Sequence, residues 1–170
     1  MNYYEIGIKS TIANEVLDYA FSSSPWFPYY NFSAKPIPYE IMAKDNFFKW
    51  LHARYEFLAG ILKLDPYTCY SWHKDTRRGV GVNMLLTPHA RSVCAFADDT
   101  NEVVFKFEEL KYKPITYYIF NTQANHTVYN FETTRCLLSI EFLKGKDELT
   151  FDQLVKDIKE HYEKDCTYIS

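Results

Sequence analysis

From about Ile61 to Leu143 the sequence falls into short runs of strand-forming residues separated by Gly, Pro, Asp and Asn. That punctuation points to a β-sandwich or barrel rather than a parallel α/β sheet. The runs are 67–73, 80–87, 92–96, 103–107, 115–120, 126–130 and 135–143. Aromatic content fits the same reading: 15 Tyr, 13 Phe and 3 Trp are residues that pack well on a pleated, half-buried surface. So many tyrosines also suggest an interior or cleft in which apolar walls carry hydroxyl donors.

The flanks read as helical. Ser10 or Thr11 is placed to cap a helix to about Phe21, with Ile12, Val16, Leu17 and Ala20 on one stripe. Residues 25–32 carry two prolines, which a central strand cannot accommodate, so they read as an aromatic loop. A second helical pattern runs from about Tyr39 to Phe57, carrying Ile41, Phe48, Leu51 and Tyr55. The tail returns to helical spacing from Thr150 to about Lys164, with Thr150 as cap and Asp152 suited to the helix dipole. A chain of 170 residues is long enough for one real core and short for two. The expected architecture is therefore one domain over 1–170, mainly β, with N-terminal helices and one C-terminal helix.

Several classes are disfavoured. With 47% apolar and 24% charged residues the chain has the balance of an ordered globular protein. A net charge of -3 with dispersed Lys and Arg makes nucleic acid an unlikely partner. No run approaches the roughly 20 apolar residues of a membrane span, and Met1 to Ile6 lacks the basic start of a signal peptide. Cys69, Cys94, Cys136 and Cys166 form no C-x-x-C pair; Cys69 and Cys136 read as reduced, buried strand residues. A cytoplasmic setting is the expectation.

The chemistry concentrates in Tyr70-Ser71-Trp72-His73-Lys74-Asp75. Residues i and i+2 of a strand project from one face, so His73 and Asp75 aim imidazole and carboxylate at one point. His126 supplies a second imidazole at the start of another expected strand. Two histidines and a carboxylate on one face of a metal leave neighbouring coordination positions open, the donor set of non-haem Fe(II) oxygenases. Beyond the turn 130–133 comes Arg135, expected on a strand adjacent and antiparallel to that of His126. A buried guanidinium there needs an anionic partner, and a dicarboxylate would satisfy it.

His73-x-Asp75, His126 and then Arg135 resemble the iron(II)/2-oxoglutarate-dependent dioxygenase superfamily. Phe120-Asn121-Thr122, His126-x-Val128-x-Asn130 and Arg135-Cys136-Leu137-Leu138 are similar to its aspartyl/asparaginyl β-hydroxylase branch, with the prolyl hydroxylases as near neighbours. The resemblance covers roughly 60–143 and implies a double-stranded β-helix (jelly-roll) core. It further implies that His73, Asp75 and His126 hold Fe(II) and that Arg135 binds the far carboxylate of the co-substrate 2-oxoglutarate, with O₂ as the oxidant. Asn83 is implied as a polar co-substrate contact. Tyr70, out of step with His73 in strand parity, is at most a hydrogen-bonding neighbour.

The implied activity is hydroxylation of an unactivated C–H bond, with a protein or peptide side chain (Asp, Asn or Pro) as the preferred substrate. A free amino acid or other small molecule is the alternative within that class. A cupin-like metal enzyme without 2-oxoglutarate and a non-catalytic jelly-roll binding module are the alternatives outside it. Arg77 and Arg78 read as solvated turn residues, Trp72 as core, and His52, His89 and His161 as structural or exposed. The aromatic loop is either a lid over the cleft or packing against the barrel.

Overall fold

A computed structural model describes residues 1–98 and 106–164. Among these residues, eleven strands form two antiparallel sheets. The larger has the order β1 (Tyr3–Lys9), β9 (Thr116–Phe120), β6 (Gly81–Leu85), β11 (Arg135–Phe142), β4 (Phe57–Leu64), β3 (Phe32–Pro36), β2 (Phe27–Tyr29). The smaller has the order β5 (Cys69–His73), β10 (Asn125–Asn130), β7 (Ser92–Ala97), β8 (Phe107–Glu109). Two facing antiparallel sheets with consecutive strands changing sheet give the jelly-roll expected. Residues 103–105, anticipated as strand, and Cys166 lie outside the described residues.

Strand β11 shows why the sheets can face each other. Its even positions, Cys136, Leu138, Ile140 and Phe142, enter the core between the larger sheet and the helices. Its odd positions, Arg135, Leu137 and Ser139, line the space between the sheets. The helices covering the outer face are α1 (Ala13–Ala20), α2 (Tyr39–Met42), α3 (Asn46–His52) and α4 (Phe151–Ile158), the last running into a π-helical turn at Lys159–Glu163. Ile12, Val16 and Ala20 are buried as a stripe, as the spacing predicts. Thr150 caps α4 in a reciprocal capping box with Gln153.

The N-terminal third departs from expectation. Tyr3–Lys9 is an edge strand; its alternation of Tyr4, Ile6 and Ile8 is a strand period, and Ile6 is fully buried. Neither Ser10 nor Thr11 caps α1 from the N-cap position, which Ile12 holds without a side-chain bond. Thr11 instead donates its N–H and hydroxyl to Asp45 Oδ2, both at 3.0 Å, and Asp45 caps α3 through Phe47 N at 2.9 Å. The long helix over 39–57 is two short helices, and Phe57 already begins β4. Residues 27–29 are a strand after all, paired with β3 at the sheet edge, where Pro28 forfeits no ladder bond to an outer neighbour. Tyr30 turns that hairpin with φ 51°, a strained conformation for a side-chain-bearing residue.

Lys35 sits under the hairpin, fully buried, and donates to the carbonyls of Ala20 (2.8 Å) and Ser22 (3.0 Å) where α1 ends. A cation there meets the negative end of the helix dipole. Cys69 is exposed rather than buried, being near the start of edge strand β5, whereas Cys136 is buried as expected. Among the described residues no helix is long and apolar enough to cross a membrane.

Candidate metal centre

His73 and His126 face each other directly across the β5–β10 ladder, with ring centroids 4.1 Å apart. Asp75 follows in the loop after β5, its N–H donating to Thr122 O at 2.9 Å. Its Oδ1 lies 3.5 Å from His73 Nε2 and 4.0 Å from His126 Nε2. One ligand atom from each of the three residues falls within 4.8 Å of the others, the one such group among the described residues. His52, His89 and His161 take no part in it.

The tautomers are set by the backbone. His73 Nδ1 is 2.7 Å from Ser71 O and His126 Nδ1 is 2.9 Å from Ala124 O. A carbonyl only accepts, so each Nδ1 carries a proton, and each Nε2, the atom turned toward Asp75, is the one placed to meet a metal. That is the arrangement in which outer hydrogen bonds orient metal-binding imidazoles.

Burial pushes His126 down to about 4, the His73 ring adding to the effect against the Ala124 hydrogen bond and Asp75. Burial alone would raise the Asp75 carboxyl, but His73, Arg78 and His126 together hold it below the ordinary carboxylate range. Near neutrality the centre therefore presents a neutral imidazole and an anionic carboxylate, both ready to ligate without releasing a proton. A stability prediction follows for the metal-free protein. Unfolded His126 takes up a proton near pH 6.5, whereas folded His126 resists until about pH 4. The unfolded state then binds more protons across that window, so stability falls as pH is lowered from 6.5 toward 4. Urea melts at several pH values measure that slope.

Arg78 is not the solvated turn residue expected. Its guanidinium is largely buried, with Nε and Nη2 each 2.7 Å from Asp75 Oδ2. Arg77 stays exposed and lines the mouth of the cleft. Trp72, expected in the core, is half-buried.

Behind the triad, the space between the sheets narrows to a chamber of about 50 Å³. It is lined by His73 and His126 at one end and by Asn83, Cys94, Tyr112 and Arg135 further in. Arg135 is 1% exposed, and its Nε and Nη1 have no hydrogen-bond partner among the described residues. Asn83 Oδ1 and the Tyr112 hydroxyl are likewise buried and unsatisfied. Buried polar atoms are almost always paired, so this group of orphans marks where a polar ligand belongs. Burial, with the Cys94 thiol beside it, pushes the Tyr112 phenol far up, so it remains a donor. Cys94 itself is pushed up to about 11 by burial and stays a neutral thiol.

Arg135 does not lie on a strand adjacent to that of His126. β10 belongs to the smaller sheet and β11 to the larger. The connection between them crosses the sandwich, held by Asn130 Nδ2 donating to Leu64 O, Asp65 O and Thr133 O. The crossing sets Arg135 facing the triad across the chamber rather than beside it. Tyr70 also lies where parity did not place it. His126 pairs with His73 but Val128 with Tyr70, so β5 carries one extra residue, a β-bulge, between them. The bulge returns Tyr70 to the face of His73, with ring centroids 3.9 Å apart.

Toward solvent, the triad opens into a cleft of about 290 Å³ walled by Tyr29, Tyr30, Phe32, Tyr70, Arg77 and Glu141. An apolar groove of about 490 Å³ along β3 and β4 shares Tyr29, Leu62, Arg78 and Glu141 with it. The aromatic segment is a hairpin that walls the cleft.

The fold is that of the 2-oxoglutarate–Fe(II) oxygenases. Similar solved structures include a prolyl-4-hydroxylase from Pseudomonas putida (TM-score 0.62, 13% identity, covering 84% of this chain and 92% of that one). A 2OG-Fe(II) oxygenase family oxidoreductase from Burkholderia pseudomallei matches with TM-score 0.62 and 9% identity over 88% and 86% of the two chains. A viral collagen prolyl hydroxylase from Paramecium bursaria Chlorella virus-1, solved as a 2-oxoglutarate complex, gives TM-score 0.59 and 15% identity over 84% and 96%. The sequence matches no family model and no curated protein. These neighbours lend the aspartyl/asparaginyl branch no support over the prolyl hydroxylases.

Proposed function

We propose that the chain is an Fe(II)/2-oxoglutarate-dependent dioxygenase, with His73, Asp75 and His126 holding iron. Arg135 and the Tyr112 hydroxyl would donate to the far carboxylate of 2-oxoglutarate, with the Asn83 amide N–H as a further donor. The observation that carries this reading is a buried guanidinium, two of whose nitrogens have no acceptor among the described residues, in the chamber that begins at the triad. A buried charge in that state is costly, and a linear diacid reaching inward from the triad would satisfy it with paired charge-assisted bonds.

Bound iron(II) would supply the redox chemistry that activates O₂, with 2-oxoglutarate oxidised and decarboxylated to succinate as C–H hydroxylation proceeds. The chain's own residues do the rest. The imidazoles present Nε2, the Tyr70 ring lies against His73, and Phe96 and Phe120 pack on His126, which keeps water from the inner side of the centre.

For the prime substrate, the cleft and its apolar groove favour a protein or peptide segment over a free amino acid, because both lie open to an extended chain. The likeness to proteins named as prolyl hydroxylases points the same way. Peptides containing Pro, Asn or Asp should raise succinate formation above its uncoupled rate, and free amino acids should not; the reverse pattern would assign a small-molecule substrate.

Anaerobic titration with Fe(II) and 2-oxoglutarate tests the class. A weak visible charge-transfer band should appear only with both present. Iron binding without any band would reject the co-substrate.

A further inference from the structure

Asp75 has two carboxylate oxygens with separate duties. Oδ1 faces both imidazoles, at 3.5 and 4.0 Å. Oδ2 is gripped by the Nε and Nη2 of Arg78, each at 2.7 Å. A guanidinium holding one oxygen through two donors fixes the carboxylate plane as well as its charge. Arg78 is itself held in place. Its carbonyl accepts from Thr122 Oγ1 at 2.6 Å and from Gln123 Nε2 at 2.7 Å, and the same Gln123 amide reaches Asp75 O at 2.7 Å. The turn at 121–124 that clamps this loop also supplies Ala124 O, which orients His126. On its other side Arg78 lines the cleft with Tyr29 and Glu141, and the charge of Glu141 further favours the guanidinium.

We propose that Arg78 is the positioning residue of the metal carboxylate: by occupying Oδ2 it makes Asp75 a one-oxygen ligand and keeps a coordination position free. Freed of Arg78, the carboxylate is able to rotate and offer both oxygens to the ion, taking up a position that a chelating co-substrate needs. The inference rests on the triad binding a metal, and its test separates the two.

Cobalt(II), a spectroscopic stand-in for iron(II), is titrated into the full-length native protein and into Arg78→Gln and Arg78→Lys, following the visible d–d absorption. Thermal melts of the metal-free forms report folding. Removal of an outer partner of a metal ligand commonly weakens binding ten- to a hundredfold. Arg78→Gln should therefore bind cobalt at least about tenfold more weakly, with a weaker d–d band as the coordination number rises. Arg78→Lys keeps the charge but not the two-donor grip, and should fall between native and Arg78→Gln. Should Arg78→Gln fail to fold, Arg78→Lys decides alone. A d–d band of native intensity in a folded variant overturns the proposal, whatever its cobalt Kd. Failure of the native protein to bind cobalt instead overturns the metal assignment on which it rests.

Discussion

Arg135→Met is expected to make the protein more resistant to heat while leaving it unable to hold 2-oxoglutarate. The guanidinium is 1% exposed and two of its nitrogens find no acceptor among the described residues. Its contact with the Tyr112 ring, 5.8 Å from the centroid, offsets only about 0.5–2 kcal/mol of that burial. Replacing buried ionic groups by apolar ones of similar volume often stabilises by about 1–4 kcal/mol. For a chain of this length each kcal/mol moves Tm by about 2–4 °C, so a rise on the order of 5 °C is expected. The diacid meanwhile loses two charge-assisted bonds worth about 1.5–3 kcal/mol each, which raises its Kd by about a hundredfold or more. Calorimetric melts and the anaerobic band titration read the two effects separately. A variant that melts lower and keeps the band would refute this account of Arg135.

His126→Ala is the second large effect. It removes one of three ligands, and the band should vanish. Succinate formation should fall by at least about a thousandfold, the loss of roughly 4 kcal/mol of the stabilisation a bound metal supplies. The variant carries an internal control. Deleting the imidazole deletes the group whose protonation favours the unfolded state between pH 6.5 and about 4, so the metal-free variant should show a flatter stability profile there. A folded His126→Ala protein that retains the band would remove His126 from the centre.

What could be read from the sequence tracks how local each feature is. His73 and Asp75 sit close enough in the chain to be paired by strand parity, although β5 ends at His73 and Asp75 is brought to it by the loop held at Thr122 and Gln123. The strands of the jelly roll were legible because turn residues bracket them. Arg135 was found by its offset from His126, yet its sheet was misplaced, because whether a short connection makes a hairpin or crosses the sandwich depends on Asn130 reaching the end of β4. Arg78 looked like a solvated turn residue, since its burial exists only once Thr122 and Gln123 close over the loop. Tyr112 was missed outright: one tyrosine among 15, in a loop, carries no periodic signal. β2 was missed because prolines argue against central strands, and this strand is at the edge.

The extra residue in β5 separates the ligands from the chain that precedes them. Thr127 stands opposite two residues, Ser71 and Trp72, and its hydroxyl donates to Tyr70 O at 2.8 Å. Deleting either one would remove the bulge yet keep both pairs, His73 with His126 and Tyr70 with Val128, as the two-residue step of a regular strand. The aromatic neighbour thus owes its side of the sheet to its pairing with Val128 rather than to its spacing from His73. A single-codon loss there would leave both the ion's grip and the histidine's aromatic cover in place.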